Sequence, residues 1–205
     1  MPGTAKLITL EGVDGSGKST LAAALAAEFP RLELLREPGG VPVAERVRAL
    51  VTDPGLTVHP RAEALLYAAA RAQLVAERLR PLLASGHDVL LDRFLDSSLA
   101  YQGAGRGLGV EEIRAINAFA TDGLIPDRTL LLRLQPGLGR SRQAARADGP
   151  DRLEREPDSF FETVGAAYDA LAAAEPARFV VLDASAAPGE VLARAREAVA
   201  AALAA

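Results

Sequence analysis

The sequence predicts an α/β domain, a five-stranded and mostly parallel sheet with helices on both faces. Three observations carry this expectation. Short apolar runs recur along the 205 residues with helix-length, alanine-rich or amphipathic segments between them. The first run, Leu7-Ile8-Thr9-Leu10, leads straight into Gly12-x4-Gly17-Lys18-Ser19, a glycine-rich loop opening a helix. No 18-residue apolar stretch interrupts the pattern, so a membrane-spanning helix is not expected.

The elements follow in order. A strand over 6–12 precedes the loop and a helix over 18–28 follows it. A short strand over 32–36 ends at Glu37-Pro38-Gly39-Gly40, and a helix runs from 41 to about 51. After the turn Asp53-Pro54-Gly55 and His59-Pro60, a long helix fills 61–84. Leu65, Leu66, Leu74, Leu79, Leu82 and Leu83 are its expected buried face, with Pro81 kinking or dividing it. Val89-Leu90-Leu91 reads as a central strand that delivers Asp92 and Arg93 at its end. A short helix over 96–101, a glycine-rich turn over 103–109, a helix near 110–121 and a strand over 129–134 come next. The polar stretch 137–158 carries Arg140, Arg142, Arg146, Arg152 and Arg155 and reads as an arginine-rich lid. A helix over 159–174, a strand over 178–182 and a helix over 189–203 complete a single domain spanning 1–205.

Composition narrows the function. There is no cysteine, so no disulfide or thiolate metal site, and His59 and His87 are too far apart in sequence to suggest zinc. Both histidines are expected in surface turns. A net charge of −4 disfavours a nucleic-acid surface. The opening residues lack the order of an export signal, and a cytoplasmic protein is expected.

The glycine-rich loop is the strongest chemical signal. Gly12, Val13, Asp14, Gly15, Ser16, Gly17, Lys18, Ser19 and Thr20 would present clustered backbone N–H groups and a helix start to a nucleoside triphosphate. Lys18 would reach the outer phosphates and Ser19 would offer its hydroxyl to magnesium. The plain alternative is a glycine-rich turn before an ordinary helix. A guanine-reading segment needs a lysine, and none follows Lys18, which disfavours a GTPase.

A second group falls at the carboxyl end of the central strand. Arg93 offers a planar fork suited to a phosphate dianion, and Asp92 could orient Arg93 or a magnesium-bound water. A structural ion pair is the alternative. Tyr67 and Arg71 lie four apart on one helical face, either as a base-stacking pair or as a core aromatic beside a solvated arginine.

Read together with Arg36-Glu37-Pro38-Gly39-Gly40, the segment 66–73, the segment 92–103, Asp151-Arg152-Leu153-Glu154 and Phe160-Phe161-Glu162, the chain resembles the thymidylate kinases of the nucleoside-monophosphate kinase superfamily. The resemblance implies a P-loop kinase fold, ATP as donor, dTMP as acceptor, Mg2+ as cofactor and a homodimer paired through helices. It implies that Asp14 lies near the nucleotide sugar, that Arg93 holds the acceptor phosphate, and that Arg36 and the Glu37-Pro38 turn shape its pocket. It further implies that Arg71 reads a thymine oxygen, Tyr67 stacks on the base, Ser98 and Gln102 flank it, Tyr101 closes the sugar pocket, and Glu162 orders the sugar region. Gly15 and Ser16 leave the loop without the basic residue some relatives carry there, so Arg140, Arg142 and Arg146 are the expected catalytic arginines, as in the bacterial type. Tyr67, Leu74 and Gln135 depart from the commoner phenylalanine, histidine and aspartate. Another deoxynucleoside-monophosphate kinase and a P-loop switch are the competing readings.

Overall fold

The three central strands are short, rich in leucine and nearly free of solvent, as a sheet covered on both faces requires, while the two edge strands are partly exposed. They lie in the order β2-β3-β1-β4-β5 and every pairing is parallel: β1 (Leu7–Glu11), β2 (Glu33–Arg36), β3 (Val89–Asp92), β4 (Arg128–Arg133) and β5 (Phe179–Asp183). The computed structural model describes residues 5–135, 137–139 and 151–205. The expected arginines Arg140, Arg142 and Arg146 lie outside the described residues.

Helix α1 (Lys18–Glu28) packs with α8 (Pro188–Ala204) along the sheet. The other layer contains α7 (Asp158–Ala174), packed on β4, β5 and the chain after β3. Helices α2 (Pro42–Thr52), α3 (Pro60–Leu74) and α6 (Val110–Thr121) extend it. The sheet order puts β1 beside both β3 and β4. The carboxyl ends of β1 and β3 therefore meet, which is where an open parallel sheet places its ligands.

Two expectations change in instructive ways. The long helix does divide near Pro81: α3 gives way to a π-helical turn, Val75–Leu79, and then α4 (Arg80–Ala84). The Arg80 amide reaches Val75 O, so a wide turn absorbs the donor that proline lacks. Within this segment Leu74 and Leu79 are buried, but Leu65 is 57% exposed and does not belong to the core. The second change follows α5 (Leu95–Ser98), where a π-helical segment, Leu99–Gly105, replaces half of the expected glycine-rich turn. A Cβ on Gly105 would stand 2.7 Å from the Phe160 ring, so glycine lets this wide turn press against α7. His59 also has a local task, because its ring accepts from the Arg61 amide and caps α3.

Candidate active site

Gly12 enters the P-loop with φ 139°, and a Cβ there would lie 2.5 Å from Leu132 O. The loop therefore rests on β4 by a backbone approach that only glycine permits. At its far end Gly17 caps α1 in a left-handed conformation, and no side chain caps that helix. The first N–H groups of α1 are left to an anion. Lys18 is buried at 6% exposure and folds its Nζ onto Gly12 O (3.1 Å) and Val13 O (2.9 Å). Burial and the nearby Arg93 charge lower it to about 8, against the pull of Asp14, Asp92 and Glu11.

Ser19 Oγ donates to Asp92 Oδ2 at 2.8 Å, while Asp92 Oδ1 is buried without a hydrogen-bond partner. No cluster of three or more His, Asp or Glu able to hold a metal occurs among the described residues. One hydroxyl and one carboxylate with a spare buried oxygen fit Mg2+, which keeps waters and phosphate oxygens as its other ligands. Asp92 turns toward Ser19 rather than toward Arg93.

Arg93 follows β3 in a left-handed turn, φ 70°, unusual for a residue with a side chain. Its guanidinium donates to Gly12 O, Ser97 Oγ and Asp14 Oδ1 and lies 5.1 Å from the Tyr101 ring centre. Tyr101 OH donates to Asp14 Oδ2 at 2.7 Å. Burial alone would raise Asp14, but the Arg93 and Lys18 charges win and hold it at about 2. Asp14, Arg93 and Tyr101 line a cleft together with Glu37, Pro38, Tyr67, Arg71, Ser98 and Gln102. The structure thus brings eight of the acceptor-side residues and Asp14 of the loop into one cavity.

Arg71 is not a free reader in that cavity. Only 2% of it is exposed, and four of its five N–H hydrogens are hydrogen-bonded within the protein. Nε donates to Glu37 Oε2 at 2.8 Å, Nη1 to Ser98 Oγ at 2.9 Å and to Asn117 Oδ1, and Nη2 to Phe94 O at 2.9 Å. Nη2 also stands 2.6 Å from Glu37 Oε2. The Arg71 charge is therefore neutralised before any base arrives. Gln102 Nε2 is likewise engaged, donating at 2.9 Å to Glu63. Glu63, fully buried, also accepts from Arg106 and Arg152, so Arg152 is docked rather than solvated. Sequence reasoning missed Glu63, Asn117 and Arg48, whose Nη1 donates to Pro38 O at 3.2 Å.

Two expected residues sit elsewhere. Arg36 is half exposed, pairs with Glu45 at 2.8 Å and buttresses the Glu37-Pro38 turn from outside the cleft. Glu162 is exposed and lines a different, larger cavity of about 670 Å³ with Gly12, Val13, Gln135 and Ser185.

Comparison with known proteins decides the family. A family model described as thymidylate kinase matches residues 10–195. The chain belongs to the thymidylate kinase family. Its activity is the family's, phosphoryl transfer from ATP to dTMP. A thymidylate kinase of Deinococcus radiodurans is 52% identical over 182 residues, covering 87% of this chain and 88% of that protein. One of Halorhodospira halophila is 47% identical, covering 94% and 93%. A crystal structure of thymidylate kinase from Ehrlichia chaffeensis superposes with TM-score 0.77 at 27% identity, covering 96% of this chain and 99% of that one.

Proposed function

We propose that the two sides of this site divide the reaction between them. The P-loop side takes the triphosphate, with Lys18 leaving its carbonyls for the outer phosphates and the uncapped start of α1 meeting the anion. Ser19 and Asp92 hold Mg2+, which offsets charge on the phosphates when bound. The cleft side takes dTMP, its phosphate against Arg93 and its base between Tyr67 and the Ser98–Gln102 turn. An acceptor phosphate oxygen attacks the γ-phosphorus as the bond to the ADP oxygen breaks. No strong protein base is needed, because the nucleophile is already anionic. Arg140, Arg142 and Arg146 are the proposed catalytic arginines.

The observation that carries this reading is the Arg93 turn, which joins the P-loop, through Gly12 O and Asp14, to the acceptor cleft. A coupled ADP-release assay across dTMP, dUMP, dCMP, dGMP and no acceptor tests it. Turnover with dTMP first and dUMP second supports it; ATP hydrolysis indifferent to every acceptor defeats it.

The same reading includes a cytoplasmic homodimer. Leu65 on α3 and Phe119 on α6 are apolar side chains left 57% and 91% exposed on two helices that pack together. Pairing through these helices would cover them. Phe119→Glu should shift sedimentation from dimer to monomer, and a wild-type monomer at working concentration would reject the pairing.

A further inference from the structure

Glu11 ends β1, is fully buried, and has no part in the reaction as described so far. Its carboxylate is nevertheless the anchor of the Arg93 turn. Oε1 accepts the Phe94 amide at 2.8 Å, and Oε2 accepts Ser97 Oγ at 2.6 Å and Tyr168 OH at 2.8 Å. The Arg93 amide is held by the preceding residue of β1, through Leu10 O at 2.9 Å. Consecutive residues of one strand thus grip the two amides that flank the left-handed Arg93. A side-chain-bearing residue keeps that conformation only where its surroundings over-determine it.

The hydrogen-bond directions extend the grip to the guanidinium. Ser97 has a single hydrogen, and giving it to Glu11 leaves lone pairs for Arg93 Nη1 at 3.0 Å. An amide at position 11 would change this. Its oxygen could keep the Phe94 N–H, but its nitrogen would make Ser97 and Tyr168 accept, so Ser97 Oγ would take a second donor beside Arg93 Nη1 and lose its bond to a carboxylate.

We propose that Glu11 is a positioning residue for the acceptor phosphate, acting through Ser97 and the Phe94 amide to aim Arg93 into the cleft. This rests on Arg93 binding that phosphate, and the test separates the two ideas. Affinities of dTMP and of thymidine, which lacks the phosphate, are measured by calorimetry at pH 8, where Glu11 is ionised, for wild type, Arg93→Ala, Glu11→Gln, Ser97→Ala and the Glu11→Gln/Arg93→Ala double variant.

Glu11→Gln should weaken dTMP roughly 10- to 100-fold, the scale of one misdirected charge-assisted hydrogen bond, and leave thymidine affinity nearly unchanged. Ser97→Ala should weaken dTMP about fivefold with the same selectivity, and it decides the matter if Glu11→Gln does not fold. The double variant should bind dTMP no worse than Arg93→Ala alone. If Arg93→Ala keeps the normal gap between dTMP and thymidine, the phosphate role of Arg93 is wrong. If Arg93→Ala closes the gap while the Glu11 and Ser97 variants keep it, Glu11 does not position Arg93. Equal losses for dTMP and thymidine in Glu11→Gln would also overturn the proposal, leaving Glu11 a general structural carboxylate.

Discussion

The two sides of the site are built on opposite plans. On the P-loop side, Lys18 rests on its own loop's carbonyls, α1 starts without a side-chain cap, and Asp92 Oδ1 is buried without a partner. On the acceptor side, Arg71 has five donors and five protein contacts, and Glu63 collects Gln102, Arg106 and Arg152. The difference follows from the ligands. A triphosphate with its metal brings enough charge to reorganise a few loose donors. A neutral base brings little, so its pocket must be rigid beforehand to select by shape and a few polar contacts. Substitutions on the two sides should therefore fail differently.

The largest effect should fall on the saturated side. Arg71→Ala leaves Glu37, 6% exposed, without its cation and strips partners from Ser98, Asn117 and Phe94 O. Breaking a buried pair in this way costs about 3–5 kcal/mol of stability, readable by urea unfolding. It also changes the selectivity expected of Arg71. Because Glu37 already neutralises the guanidinium, a cytosine amine would not orphan a buried charge, and the dTMP preference over dCMP should owe more to the shape of the cleft. The dTMP-to-dCMP efficiency ratio of Arg71→Lys, which keeps the charge and loses the fork, measures this. A ratio collapsing to near unity would show that Arg71 reads the base directly.

Lys18→Ala probes the open side. Turnover should fall about 10²- to 10³-fold, the scale for one donor to the developing charge. Stability should barely move, because a lysine lowered to about 8 is held at a cost in the empty site. Equal damage to turnover and melting temperature would erase the contrast between the sides.

How much of this could be read from sequence follows from range. The loop and the strand–helix alternation are local patterns, so both were legible, as was the delivery of Asp92 and Arg93 by β3. The saturation of Arg71 was not, because its partners Glu37, Phe94 and Asn117 are 34, 23 and 46 positions away. Tyr67 and Arg71 looked like a free pair on a helix face for the same reason. The π-helical turns escaped because a wide turn has no distinct residue period, and only Pro81 marked one. Glu63 read as an ordinary helix-start acid, though Gln102, Arg106 and Arg152 converge on it. Glu162, placed beside the sugar by resemblance, faces the other cavity.

The boundary between the two sides carries a pH signature of its own. Glu11 and Asp14 flank Arg93 and are pushed in opposite directions. Burial and then the nearby Asp96 raise Glu11 from 4.5 to about 7, outweighing Arg93 and the hydrogen bonds from Ser97 and Phe94; Lys18 and Tyr168 are the other titratable neighbours. The unfolded chain releases this proton earlier, so the contribution of Glu11 to stability is full below 4.5 and fades as pH rises through 7. Asp14, lowered from 3.8 to about 2, contributes fully above 3.8 and loses its contribution as pH falls through 2. Denaturant unfolding from pH 5 to 8 should show declining stability that flattens in Glu11→Gln. An identical slope in both proteins would remove Glu11 from the account.

The smallest expected effect separates two tasks in one side chain. Tyr101 bonds Asp14 through its hydroxyl and packs its ring on Arg93 and on Phe160, 6.0 Å away. Tyr101→Phe removes only the hydroxyl, costing about 1–2 kcal/mol of stability and loosening the Asp14–Arg93 pair. The KM for dTMP should rise several-fold. The ring remains beside the expected sugar position, so discrimination of dUMP from UMP should persist in Tyr101→Phe and shrink in Tyr101→Ala. Comparing the dUMP-to-UMP efficiency ratio in the two variants assigns the function. Loss of discrimination already in Tyr101→Phe would mean that the hydroxyl, through Asp14, senses the sugar, and that the acceptor side selects it by a hydrogen bond instead of by its walls.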